Sequence, residues 1–234
     1  MAFVPDRRAS RQPLLNAPAV VLWLIVLLLA FHAIRTALPS DWPDLILTQF
    51  GFVPARYAFV ATHGLELPEL PALILPPFTY MLLHADFTHV GINSLWLLVF
   101  GPAVARRLKS ARFLLFFVLC GLAAAALHLA VYWASPVAVI GASGAISGLM
   151  GAGVRILYGH LYDRPDALAP LHSRPILMFT LVWVVVNIVS GVFRIGVTGD
   201  VALIAWVAHL GGYFTGLLTI GLFSVQPAVR LAGS

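Results

Sequence analysis

Ser143 stands in Gly141-Ala142-Ser143-Gly144-Ala145, which opens an apolar stretch with the composition of a membrane helix. His209 lies inside another apolar stretch, 205–214. His89 and Asn93, spaced i,i+4, share one face of a third. Polar and ionisable groups at membrane depth are costly, and the default reading of such a group is a functional site. Serine is a weak nucleophile until a base takes its proton, and His209 is a candidate for that base. Acyl transfer also needs donors for the oxyanion. The His89 imidazole and the Asn93 amide can supply two. The Ser143 backbone N–H is a third, because the first N–H groups of a helix lack an intrahelical partner and the dipole there favours negative charge. No Asp lies near Ser143 or His209 on their own stretches, so the pattern reads as a Ser143–His209 dyad rather than a triad. The chemistry indicated is hydrolysis inside a bilayer.

Each residue also has an ordinary reading. A lone membrane serine more often bonds back to its own helix, and Ser147, Ser94 and Thr215 are read that way. His32 and His128 read as interfacial or packing residues, and His63, His160 and His172 as solvated loop residues. Asp86 reads as a cap of the helix carrying His89 or as a partner near the outer surface. Asn187 reads as an interhelical hydrogen-bond residue. Glycine pairs alone mean close packing. What outweighs these readings is the convergence of Ser143, His209, His89 and Asn93 near one predicted leaflet.

The elements that must position them are membrane spans. Of the 234 residues, 61% are hydrophobic and 10% charged, against about 25% charged in a soluble domain. The chain therefore reads as one integral membrane domain in contact with lipid. Cys120 is the single cysteine, which leaves no disulfide framework and no cysteine-based metal site, and neither metal nor cofactor is expected. Net charge is +5, but the basic residues cluster just beyond apolar runs, where topology signals belong. Nucleic-acid binding is excluded on that ground. The basic N-terminus is followed by a run long enough to span, with no clear small-residue cleavage site, so no cleavable signal peptide is expected.

A helical span needs roughly 20 mostly apolar residues. Six are expected, at about 17–36, 80–103, 112–132, 142–158, 175–194 and 202–223. With a cytoplasmic N-terminus, 11 of the 14 basic residues fall inside: Arg7, Arg8, Arg11, Arg106, Arg107, Lys109, Arg112, Arg155, Arg164, Arg174 and Arg230. The other 3, Arg35, Arg56 and Arg194, fall outside. This bias places both termini in the cytoplasm. The expected organisation is a short cytoplasmic segment 1–16, a six-helix membrane domain 17–223 and a cytoplasmic tail 224–234. The long connection 37–79, rich in Leu, Phe and Pro, is expected at the outer interface. The uncharged connection 132–141 is expected to dip inward, so that Ser143 starts the fourth span below the outer surface. The sixth span enters from the outer side and brings His209 to about the same depth. Gly144, Gly148 and Gly151 on one span, and Gly212 and Gly216 on the other, allow close approach.

With these residues in hand, the chain resembles the rhomboid intramembrane serine proteases, from about the second span to the end. The family's G-x-S-G motif stands as Gly141-Ala142-Ser143-Gly144. Its H-x-x-x-x-H-x-x-x-N motif stands as His84, His89 and Asn93, and its A-H-x-x-G-x-x-x-G motif as Ala208, His209, Gly212 and Gly216. The resemblance implies a six-transmembrane-helix bundle of rhomboid type, with Ser143 as nucleophile and His209 as base. It implies an oxyanion site of His89, Asn93 and the Ser143 N–H, with His84 structural or holding water near the cleft. It implies substrates that are transmembrane segments of other proteins, cut near their outer end at small residues in a locally unstable helix, and a bacterial inner membrane as the location. Two positions depart from the pattern. Four residues after the serine the family often carries an aromatic that packs on the histidine, and here that residue is Ser147. The Trp-Arg pair of the first outer loop is not evident, although Trp42 and Arg56 are present. The competing expectations are a non-catalytic scaffold or chaperone that binds transmembrane helices, and a small transporter. The latter would want ionisable residues along a through-path and an internal repeat, and the sequence shows neither.

Overall fold

A computed structural model describes residues 17–162, 167–193 and 202–224, the side chains of 202–205 excepted. Arg7, Arg8, Arg11, Arg164, Arg194 and Arg230, and the segments 1–16 and 225–234, lie outside the described residues. The described chain is all-helical, apart from one isolated antiparallel bridge. The elements are α1 (Ala19–Thr36), α2 (Trp42–Phe50), α3 (Pro54–His63), α4 (Leu70–Ile74), α5 (Pro76–Thr79), α6 (Phe87–Leu108), α7 (Ser110–Val131), α8 (Ser143–Leu157), α9 (Arg174–Phe193) and α10 (Ala202–Phe223), with short 3₁₀ turns between some of them.

Among the described residues, five helical stretches are long and apolar enough to cross a membrane: α1, α6, α7, α9 and Trp206–Phe223 of α10. Their outward faces carry large apolar side chains such as Trp23, Leu115, Val182 and Leu222, as lipid-facing helices must. α8 is different. It has 15 residues, about 22 Å at the helical rise, less than the roughly 30 Å of a hydrocarbon core. Its whole length from Gly144 to Val154 is buried, packed against α6, α7 and α10. α8 is thus the hub of the bundle.

The small residues of α8 explain how it fits there. A Cβ at Gly148 would meet the side chain of Cys120 on α7, and one at Gly151 would meet the backbone of Tyr213 on α10. From the other side, Cβ atoms at Gly212 and Gly216 would fall on the carbonyl oxygens of Gly144 and Gly148. Backbone therefore lies on backbone, and the expected small-xxx-small packing is present between these two helices.

The second span differs from its expected start. The helix begins at Phe87 and continues to Leu108, while Tyr80–Leu82 is a 3₁₀ turn. Asp86 sets the start: its carboxylate oxygen accepts from His89 N–H at 2.8 Å as an N-cap. The cap is one of the two readings given for Asp86 above, and the apolar stretch Tyr80–Leu83 before it is what drew the expected span too far toward the N-terminus.

The two unusual connections meet. Phe52 and Val139 exchange both backbone hydrogen bonds, at 3.0 and 2.8 Å. Ala55 N–H donates to Ser135 O at 2.9 Å, and Gly141 N–H to Tyr80 O at 2.9 Å. The segment 37–79 is folded into α2–α5, with Trp42, Leu45, Phe59 and Leu67 exposed. Arg56 donates to the Gln49 and Thr48 carbonyls at the end of α2, where a cation also complements the helix dipole. The loop leading into α8 is thereby anchored by backbone and not by chance packing.

Candidate active site

Ser143 is the first residue of α8, with Ala142 as the N-cap. Gly141 before it has φ 118°, a region open to glycine and rarely to other residues. That residue turns the chain from the anchored loop into the helix. Through 141–150 every residue is buried except Ser143, which is half-buried, so the hydroxyl stands at an opening in an otherwise sealed element.

His209 on α10 is also half-buried. Its Nε2 lies 2.8 Å from Ser143 Oγ, and its Nδ1 lies 2.9 Å from Asn187 Oδ1 on α9. The glycine seam between α8 and α10 is what allows the first contact. Oγ–H donating to Nε2 is the geometry from which a base can activate a serine.

His84, His89 and Asn93 approach the same point from the other side. A Cβ at Gly141 would lie 2.8 Å from His89 Nε2 and 3.6 Å from Asn93 Nδ2. Any side chain at 141 would therefore close the space these two groups border. The amide nitrogen of Asn93 is buried and has no hydrogen-bond partner, a costly state for a donor that an incoming acceptor would relieve. His89 Nδ1 receives Ala85 N–H at 3.4 Å, which leaves the ring proton on Nε2, on the side of Gly141. His84 is fully buried. Its Nε2 accepts from Ala142 N–H at 3.4 Å, and its own carbonyl accepts from Arg35 at 2.8 Å. His84 thus braces the turn before Ser143, and buried Arg35 at the end of α1 braces His84.

Gly144, Gly212 and Gly216 belong to the α8–α10 seam described above, and Ala142 carries the contact to His84. The structure thus brings every one of these residues into a single neighbourhood. It also adds one that reading the sequence for Asp missed. Asn187 is indeed an interhelical hydrogen-bond residue, but its partner is the His209 imidazole. The signal was present: a lone amide within the apolar run Val184–Val189, at a depth where such a group needs a reason. Ser94 differs from its reading, for its buried hydroxyl makes no hydrogen bond, whereas Thr215 does bond back to Gly211 O at 2.8 Å. Among the described residues no aromatic ring packs on His209, consistent with Ser147 at the position four after Ser143. No three His, Cys, Asp or Glu side chains among the described residues converge as metal ligands.

A family model described as Rhomboid domain matches residues 74–226, a span that contains Ser143, His209, His84, His89, Asn93 and Asn187 but not Arg35. A Bacillus subtilis (strain 168) protein named "Putative rhomboid protease YdcA" is 32% identical over 154 residues, covering 65% of this chain and 68% of the relative.

Proposed function

The chain belongs to the rhomboid family and is an integral membrane protein, and from that premise we propose that it is an intramembrane serine endopeptidase. Its substrates are transmembrane segments of other proteins, and its site is the Ser143–His209 pair. The observation that carries this reading is the 2.8 Å contact between Ser143 Oγ and His209 Nε2 at the start of a buried helix.

In this mechanism the Ser143 oxygen attacks the scissile carbonyl while its proton passes to His209 Nε2. Negative charge develops on the carbonyl oxygen. His89 Nε2–H, Asn93 Nδ2–H and the Ser143 N–H donate to it, and such donors act on charge present only in the transition state. The imidazolium returns its proton to the leaving amine. Water, deprotonated by the same nitrogen, then cleaves the acyl ester. A helical peptide bond is shielded by its own hydrogen bonds, so the substrate must unwind to reach Ser143. α8 is the fourth of the six spans of the domain 17–223 and starts below the outer surface. The flanking segments 1–16 and 224–234 lie in the cytoplasm, and the membrane is the bacterial inner membrane.

The test is purified protein against a panel of single-span substrates. Ser143→Ala is expected to abolish cleavage and labelling by a fluorophosphonate probe while the protein stays inserted and folded. Full turnover by Ser143→Ala would remove the residue from the mechanism.

A further inference from the structure

α9 meets α10 along one stripe. Thr180 Oγ1 lies 2.8 Å from the Tyr213 hydroxyl. Trp183 stacks on the Tyr213 ring, with centroids 4.2 Å apart. Asn187 meets His209, and Gly191 gives room to Trp206. Thr180, Trp183, Asn187 and Gly191 follow one another at helical spacing, so the antiparallel partner presents His209 to Asn187 by register. The remainder of α9 is largely exposed. One rung of this seam touches the proposed base.

The direction of the amide follows from chemistry. Asn187 Nδ2 donates to Trp183 O at 3.1 Å. A carbonyl oxygen only accepts, so the amide cannot be turned round without placing oxygen against oxygen. Asn187 Oδ1 is then the end that faces His209, and an amide oxygen only accepts as well. The proton on His209 must sit on Nδ1. Nε2 is left bare toward Ser143 Oγ, which is the tautomer a general base needs. A neutral imidazole with its proton on Nε2 would present a donor to the hydroxyl and could not take its proton. The site also lacks an aromatic ring packed on His209 among the described residues, so orientation by ring packing is not what holds this imidazole.

We infer that Asn187 is a positioning residue: its amide oxygen, aimed by Trp183 O, fixes the tautomer and ring orientation of His209. This rests on the Ser143–His209 reading above. An amide, unlike a carboxylate, orients the ring without contributing a full charge to the imidazolium. Loss of Asn187 should therefore cost less than the ~10⁴-fold in kcat seen where a soluble triad is given the wrong tautomer.

The experiment compares Asn187→Leu, Asn187→Asp and Thr180→Val on a single-span substrate, with Ser143→Ala alongside. Asn187→Leu removes the acceptor and is expected to lower kcat about 10²-fold with KM within about twofold. Labelling of Ser143 by a fluorophosphonate should slow in parallel, since that readout does not depend on substrate binding. Asn187→Asp restores an acceptor for Nδ1–H, with its second oxygen protonated so that it donates to Trp183 O, and is expected to recover most of the loss. Thr180→Val breaks a different rung of the same seam and is expected to leave kcat unchanged. Wild-type kcat and labelling in Asn187→Leu would overturn the inference. So would an equal fall in kcat in Thr180→Val, which would assign Asn187 to helix docking alone, or a failure of Asn187→Asp to exceed Asn187→Leu in a protein of unchanged thermal stability. Turnover in Ser143→Ala would instead overturn the Ser143–His209 reading, whatever Asn187 does.

Discussion

At the scale of single residues, one shared proton couples Ser143 to His209. Neither group has a role in proton transfer without the other, so their losses should not add. His209→Ala is expected to be about as damaging as Ser143→Ala, and the double variant no worse than either, as measured by turnover of a purified single-span substrate. An additive loss would separate the two residues. The donors behave differently. His89→Ala and Asn93→Ala are expected to lower kcat more than they raise KM, by up to about 10²–10³-fold, the cost of one oxyanion donor in a soluble protease. The unpartnered Asn93 amide and the Nε2 of His89 beside Gly141 are what place both as proposed donors to a bound carbonyl. A raised KM with kcat intact would make either one a substrate contact. These residues were legible in the sequence because a polar group in an apolar run is conspicuous, and because i,i+4 spacing is a statement about one helix face. Asn187 was visible but its partner was not. Pairing across two helices depends on register, which no local spacing encodes.

At the scale of elements, the long helices were legible to within a few residues because hydropathy is a property of a whole run. The exception, the start of α6, turns on a single side-chain cap at Asp86. The close packing of α8 against α10 was legible as glycine spacing, but its consequences differ along one helix. Gly216 has the Gly148 carbonyl where a Cβ would go, whereas a Cβ at Gly221 would meet only Leu168 Cδ1 at 3.8 Å. Gly216→Ala must push two backbones apart and is expected to destabilise by about 1–3 kcal/mol, as overpacked cores do. Gly221→Ala fills open space and removes chain entropy from the unfolded state, and is expected to stabilise by about 0.5–1 kcal/mol. Unfolding in mixed detergent micelles reads both. Equal effects of the two substitutions would mean that helix propensity, not contact, governs this seam.

At the scale of the whole molecule, the proposed direction of insertion rests on the basic residues. Arg106, Arg107, Lys109 and Arg112 gather about the turn between α6 and α7, at the far end of α6 from the segment that precedes it and carries Asp41, Asp44, Glu66 and Glu69. In a Cys120→Ala background, a cysteine at Glu66 is expected to react with an impermeant maleimide added outside, and one at Ser110 only after the membrane is opened. The reverse pattern would invert the topology and the side on which substrates are cut. What composition could not foretell is that the two unusual connections hold each other, through Phe52 with Val139 and Tyr80 with Gly141. Backbone bonds between distant segments leave no trace in residue type. The separation of the paired groups along the chain also has a meaning in time. Ser143 precedes His209 by 66 residues, roughly 3–13 s of synthesis at ordinary ribosomal rates. The braces from Arg35, Tyr80 and His84 are all made before the serine, and its proton acceptor is made in the final helix. In the proposed mechanism a nascent chain therefore carries a finished cradle and an inert hydroxyl until α10 is in place.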